Sequence, residues 1–335
     1  MRPYLVLIIF CCLMKPVHAQ MSAESYDCVR KTLIDSQSFA LGGTGIGGMV
    51  MPDTKAYYQL AAEGSDEQIK ALFTHENPIT RAFALVAFLE QNAEGDWFPT
   101  WLAHLDEGEK FRRQNGCHIW RTSIGDILYF HMKGKDNFFM EDKQWLTPDQ
   151  EDQVLAVFGA TEIKMNWMSD VMRTCQIPPK YESRVLELND QGDTMAMIAG
   201  SRMNSPFIHP TILENLSLPM RDPFYISHPT SDALKAVAAN PLPMYLDTIL
   251  EIAGQCNQAV IYKTLAHYDD VRLLEWYGTQ VDRIADDRDV GSIQAQNILA
   301  AIYRNSYYTE IETRLKSIGI ELEHSRLERW ANMRQ

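Results

Sequence analysis

The residues whose types and spacing suggest chemistry are mostly aromatic. Trp97, Phe98 and Trp101 fall at i, i+1 and i+4, a spacing that clusters them on a short helix. Trp and Tyr are favoured anchors of binding hot spots, so the three form a candidate recognition surface, set against the plainer reading of a packed core. Phe138-Phe139 and Tyr307-Tyr308 are further aromatic pairs. Glu94, Asp96, Asp106, Glu107 and Glu109 lie close by in sequence and would steer a basic partner.

Reaction motifs find little support. Gly43 to Gly48 matches GxGxxG in letters, but no buried strand precedes it and no βαβ alternation follows, so it reads as a loop. The chain has no HExxH, and no two histidines stand at i, i+4. His104, Asp106 and Glu107 are near one another and read as a solvated helix end rather than a cation site. Asp287-x-Asp289-x-Gly291 resembles a calcium loop, with its glycine one place early and Ile298 where a glutamate belongs. GxSxG and SxxK are absent. Adjacent acids such as Asp269-Asp270 and Asp286-Asp287 read as caps and solvated faces, although a glycosidase pair needs nothing more than two carboxylates. No catalytic residue, metal or cofactor is therefore expected.

The elements that must position these residues come from a chain of 335 residues, 46% hydrophobic, with 31 basic and 44 acidic side chains and a net charge of -13. That is enough chain for a real core and too acidic for broad nucleic-acid binding. Residues 1–19 read as a signal peptide: Arg2, an apolar run from Leu5 to Met14, then Val17-His18-Ala19 before a cleavage point at Gln20. Phe10 stands where a lipobox needs a small residue. No later stretch approaches 18 apolar residues, so no membrane insertion is expected after cleavage. Export places Cys28, Cys117, Cys175 and Cys256 in an oxidising compartment, where disulfides and buried thiols are both open.

Helical periodicity runs through the body. Ser65 caps a helix with Asp66 and Glu67 in its first turn and an apolar stripe at Ile69, Leu72 and Phe73. Asn77 caps the next, with Pro78 at its first position and apolar residues on nearly every face from Ala82 to Leu89. Asn77-Pro78-x-x-Arg81-x-x-Ala84-Leu85, preceded by that first helix, resembles a HEAT repeat over residues 65–92. The resemblance implies structural roles for Pro78 and Arg81, the arginine tying adjacent repeats, and an α-solenoid that binds along one face. It implies no reaction.

Further helices are expected at 97–105, 147–158, 178–188, 193–203, 231–239, 243–254, 256–267, 270–284, 290–304, 307–318 and 322–333, with no strict repeat period. Residues 111–140, with Cys117-His118-Ile119-Trp120 and Ile127-Leu128-Tyr129-Phe130, fit buried helix turns or short strands; helix is the favoured reading. The fold class expected is all-α: an irregular, HEAT-like superhelix of antiparallel helix pairs with a small insertion allowed at 111–140. Residues 20–204 and 230–335 would be two helical regions joined by the Pro-rich 205–229. The function expected is that of an exported, periplasmic or extracellular protein-binding scaffold, for example an immunity or inhibitor protein for a basic partner. A cell-envelope glycan hydrolase and a structural envelope component are the alternatives.

Overall fold

The computed structural model describes residues 21–44, 48–92, 95–134, 146–219, 228–255, 259–286, 298–299, 302–303 and 307–319. Residues 1–19, expected to be a signal peptide, and Phe138-Phe139, Asp287 to Gly291 and Cys256 lie outside them. The chain is mostly helical, with helices packed on one another, and divides into two units, Met1–Met168 and Ser169–Gln335. The division falls inside the helix Asn166–Thr174.

The first unit is built around one buried helix. Helices α1 (Ala23–Ile34), α2 (Pro52–Glu63) and α3 (Asp66–Lys70) pack with α4 (Pro78–Gln91). Ser65 and Gln68 form a reciprocal capping box on α3. Its expected final turn tightens instead, with Leu72 and Phe73 amides bonding back to Ile69 and Lys70 at 3.0 and 3.1 Å, three residues each. Asn77 caps α4 through its side-chain oxygen on the Ile79 amide, while its Nδ2 donates to the last carbonyl of α1 at 3.1 Å. Pro78 opens α4, whose residues Ala82 to Leu89 are all buried. Thr80, also buried, donates to the Leu33 carbonyl and fixes α4 against α1.

Two small hairpins interrupt the helices. Gly43–Thr44 (β1) pairs antiparallel with Met49–Val50 (β2), not the strand-then-helix order of a dinucleotide fold; residues 45–47 lie outside the described residues. Gly43 meets the Gly48 carbonyl so closely that a Cβ there would stand 2.6 Å from its oxygen. After α5 (Phe98–Ala103) come β3 (Phe111–Asn115) and β4 (His118–Thr122), then α6 (Ile124–Met132). This corrects the helix reading of 111–140. The cause is Gly116, whose φ of +57° makes the two-residue Gly116-Cys117 link a hairpin turn. Ile127 to Phe130 do lie in a helix, while 135–140 are outside the described residues. Helices α7 (Pro148–Ala160) and α8 (Asn166–Thr174) follow.

In the second unit, α9 (Glu182–Asp190), α10 (Thr194–Arg202), α11 (His209–Leu216), α12 (Pro229–Ala239), α13 (Leu246–Gln255), α14 (Ala259–Leu265), α15 (Val271–Asp286) and α16 (Tyr308–Ser317) succeed one another. Helix α12 packs on both α10 and α14, its neighbours but one. Ser201 of α10 and Thr264 of α14 each donate to a carbonyl of α12, at 2.6 and 3.1 Å. Both hydroxyls are buried, so each contact satisfies a polar group while fixing helix spacing.

Candidate functional site

The aromatic trio sits at the start of α5, and most of it is core. Trp101 is fully buried and Phe98 nearly so, while Trp97, just outside the helix, is half-exposed. Trp101 stacks on Tyr129 at 6.3 Å, and Tyr129 on Trp167 at 5.8 Å, one aromatic column joining α5, α6 and the start of α8. The surface expected at Trp97, Phe98 and Trp101 is therefore a packing unit. Of the acids beside it, Asp96 and Asp106 are exposed, Glu107 and Glu109 are paired with Arg81, and Glu94 lies outside the described residues.

Arg81 ties parts of the chain together. Its guanidinium bonds the His75 carbonyl at 2.8 Å, Glu107 at 3.1 Å and Glu109 at 3.3 Å. The other oxygen of Glu107 meets His104 Nδ1. The Glu107 carbonyl accepts the Gly125 amide at 3.2 Å. Gly125 is required here, because a Cβ would lie 2.1 Å from the Leu105 oxygen. Burial opposes the charge on Glu107, but His104 and Arg81 outweigh it and hold the carboxyl below its ordinary value. A histidine held by a carboxylate is half of a base–nucleophile pair; among the described residues no hydroxyl or thiol is hydrogen-bonded to His104 to complete one.

Removing these bonds has a defined effect. Arg81→Ala is expected to cost about 2–3 kcal/mol, read by urea denaturation, because two carboxylates and the His75 and Glu76 carbonyls lose a charged donor. A carboxyl depressed in the folded state adds stability that is complete above its unfolded value and lost as pH falls through the lower folded one. Stability measured from pH 6 down to about 3 should therefore decline less steeply in Glu107→Gln than in wild type.

A second region, where short strands at 111–140 were the alternative to helix, carries a surface the sequence did not single out. The Phe39 amide donates to the Arg112 carbonyl, the Gln114 amide donates to the Phe39 carbonyl, both at 2.9 Å, and β1 packs beside β3. The two hairpins thus share one corner of the unit, with Tyr58 bonded to the Leu41 carbonyl at its side. Met49, Val50, Met51, Tyr58, Ile119 and Trp120 are exposed there. Among the described residues of this unit, Ile163 is the one other exposed large apolar side chain. Lys110, Arg112, Arg113 and Arg121 stand on the same hairpin, with Arg113 over the Trp120 ring at 5.3 Å. The signal for it was Arg112-Arg113-x-Asn115-Gly116, a basic run into a turn pair within an acidic chain.

Other chemistry is already occupied or absent where described. Cys28 and Cys117 are exposed and free, so neither forms the disulfide allowed for it; the Cys175 sulfur lies 3.8 Å from the Thr174 hydroxyl. Ellman's reagent should titrate Cys28 and Cys117 without denaturant, and serine at both positions should remove that fast phase. Tyr245 in the second unit is fully buried and 2.5 Å from His209 Nδ1; burial pushes its hydroxyl up to about 12, so it stays neutral. A shallow cavity of about 270 Å³ between α15 and α16 is lined by Arg272 and Arg314, each already paired with aspartate. Among the described residues no three His, Cys, Asp or Glu side chains could hold a metal ion, and no helix is long and apolar enough to cross a membrane. Compared with protein-family models, curated proteins and solved structures, the chain matches none.

Proposed function

We propose that this chain is an exported binding protein, in which helical units hold a small β corner that contacts another protein. One observation carries the reading: apart from Ile163, the exposed large apolar side chains described in the first unit gather at the two hairpins together with Arg112, Arg113 and Arg121. Grouped exposed apolar side chains of this kind mark interaction sites far more often than isolated ones do. The scaffold reads as degenerate HEAT-like pairs. Asn77, Pro78 and Arg81 act structurally, and α10, α12 and α14 follow one another as stacked inner helices.

A basic partner follows from the net charge of -13. Local charge argues otherwise. At physiological salt the screening length is about 8 Å, so a partner at the corner meets the arginine side chains there rather than the charge of the whole chain. The facing surface of the partner is therefore acidic. Affinity purification from the cells that export the chain is expected to yield one stoichiometric protein partner, released as salt is raised. Mature chain recovered outside the cytoplasm should begin at Gln20. If no protein co-purifies at any salt, the binding reading is lost.

A further inference from the structure

The edge strand β4 is open, and its geometry says what fits it. On β3, the Arg112 carbonyl and the Gln114 amide point to Phe39, away from β4. Their cross-strand partners are Arg121 and Ile119. Pairs whose backbone groups point outward on one antiparallel strand point outward on the other as well. The N–H and C=O groups of Ile119 and Arg121 therefore face away from β3, and no described backbone group takes them up. One side of the hairpin is thus already extended by Phe39, and the other offers a row of ladder groups.

The side chains add a charge preference. Arg112 and Arg121 stand directly opposite each other and are both exposed, with Ile119 on the same face. Like charges in that position repel, and an acidic neighbour would relieve them. Arg121 also bonds the Lys110 carbonyl at 3.1 Å, which leaves donors of its fork for another acceptor. Trp120 lies on the other face. Strands that must stay unpaired are blunted by proline, bulges or short length; His118–Thr122 pairs residue for residue with β3 and contains no proline.

We infer that β4 is a strand-addition site: an extended acidic segment of a protein partner, about five residues long, pairs antiparallel along it. The segment turns carboxylates to the Arg112/Arg121 face and β-branched side chains to the Trp120 face. This rests on the binding-protein reading and names the site and chemistry of the contact. An extended backbone is favoured over a helix or a lipid surface because neither of those supplies main-chain partners for the Ile119 and Arg121 groups.

The test uses the full chain and a fluorescein-labelled eight-residue peptide alternating Glu and Val, followed by anisotropy. Saturable binding is expected. N-methylation of the Glu residues, whose amides face β4 in this register, should weaken it at least about tenfold. N-methylation of the Val residues should leave it nearly unchanged. Ile119→Pro removes an outward N–H and no ladder bond, and the double variant Arg112→Glu/Arg121→Glu reverses the charge; each should lose at least about tenfold with an unchanged helical circular dichroism spectrum. The inference is overturned if the wild-type chain does not bind the peptide, if the Glu-methylated peptide binds equally well, or if vesicles of phosphatidylglycerol in phosphatidylcholine bind while the peptide does not. It is also overturned if both variants still capture the cellular partner, an outcome that leaves the binding-protein reading standing; failure of the wild-type chain to capture any partner removes that reading itself.

Discussion

Replacing Trp101 by alanine is expected to destabilise the first unit by about 3–5 kcal/mol. The side chain is fully buried and has aromatic neighbours on several sides: Tyr129 in a stack at 6.3 Å, Phe98 at 5.6 Å and Trp97 edge-on at 5.8 Å. Truncation removes one of the two tryptophans of the column and leaves a void between α5 and α6 that packed neighbours fill only in part. For a unit of this size each kcal/mol is worth roughly 2–4 °C, so the melting transition of the first unit should fall by about 6–20 °C. Trp97→Ala should cost less, about 1–2 kcal/mol, since that ring is only partly buried. The contrast decides between core and recognition surface. A surface tryptophan would leave stability unchanged and weaken partner binding; a core tryptophan does the reverse until the unit unfolds.

That outcome bears on what a sequence can show. Several helix starts were legible from a capping side chain or a proline: Ser65, Asn77-Pro78, Thr147-Pro148 and Asp193 all cap or open helices as expected, because that signal is local, whereas the same signals at Ser22, Pro52 and Ser123 went unread. Pro178-Pro179 instead leads through a short 3₁₀ turn, Pro179–Tyr181, into α9. Helical spacing placed Trp97, Phe98 and Trp101 together, yet it does not say whether the cluster faces solvent or a neighbouring helix; Tyr129 and Trp167 decide that from far along the chain. Arg81 was legible as a tie through the HEAT-like pattern, but its acidic partners stand 26 and 28 residues downstream. The β corner was legible only as an alternative to helix, for a different reason. Net charge averages over the chain and hides a local excess of arginine, and a strand needs a partner to be recognised, here Phe39 and β3. Gly116 set the turn, but a Gly, even after Asn115, does not by itself separate a hairpin from a helix end.

The other large effect is expected at Asp126, where a single buried carboxylate joins three segments. Its amide is capped by Ser123 at the start of α6. One oxygen accepts the Trp167 amide at 3.0 Å, and the other accepts Asn166 Nδ2 at 3.1 Å and Lys110 Nζ at 3.0 Å. It thereby caps the first turn of α8 from outside and anchors the residue from which β3 departs. Asp126→Ala would strand a buried N–H and a partly covered ammonium together, so a loss of about 3–5 kcal/mol is expected in urea denaturation. Asp126→Asn retains one acceptor oxygen and should cost about half as much. Lys110→Met removes one donor while the carboxylate keeps two, and should cost least. Because all three bonds converge on one group, a Lys110/Asp126 double-mutant cycle should give a coupling energy of about 1–3 kcal/mol; additive losses would mean that the contacts act independently. The cycle also links core to surface. Loosening Lys110 frees the root of the β3–β4 hairpin, so amide exchange at residues 111–115 should rise in Asp126→Ala, and the Glu/Val peptide should bind β4 more weakly although no residue of its edge has changed.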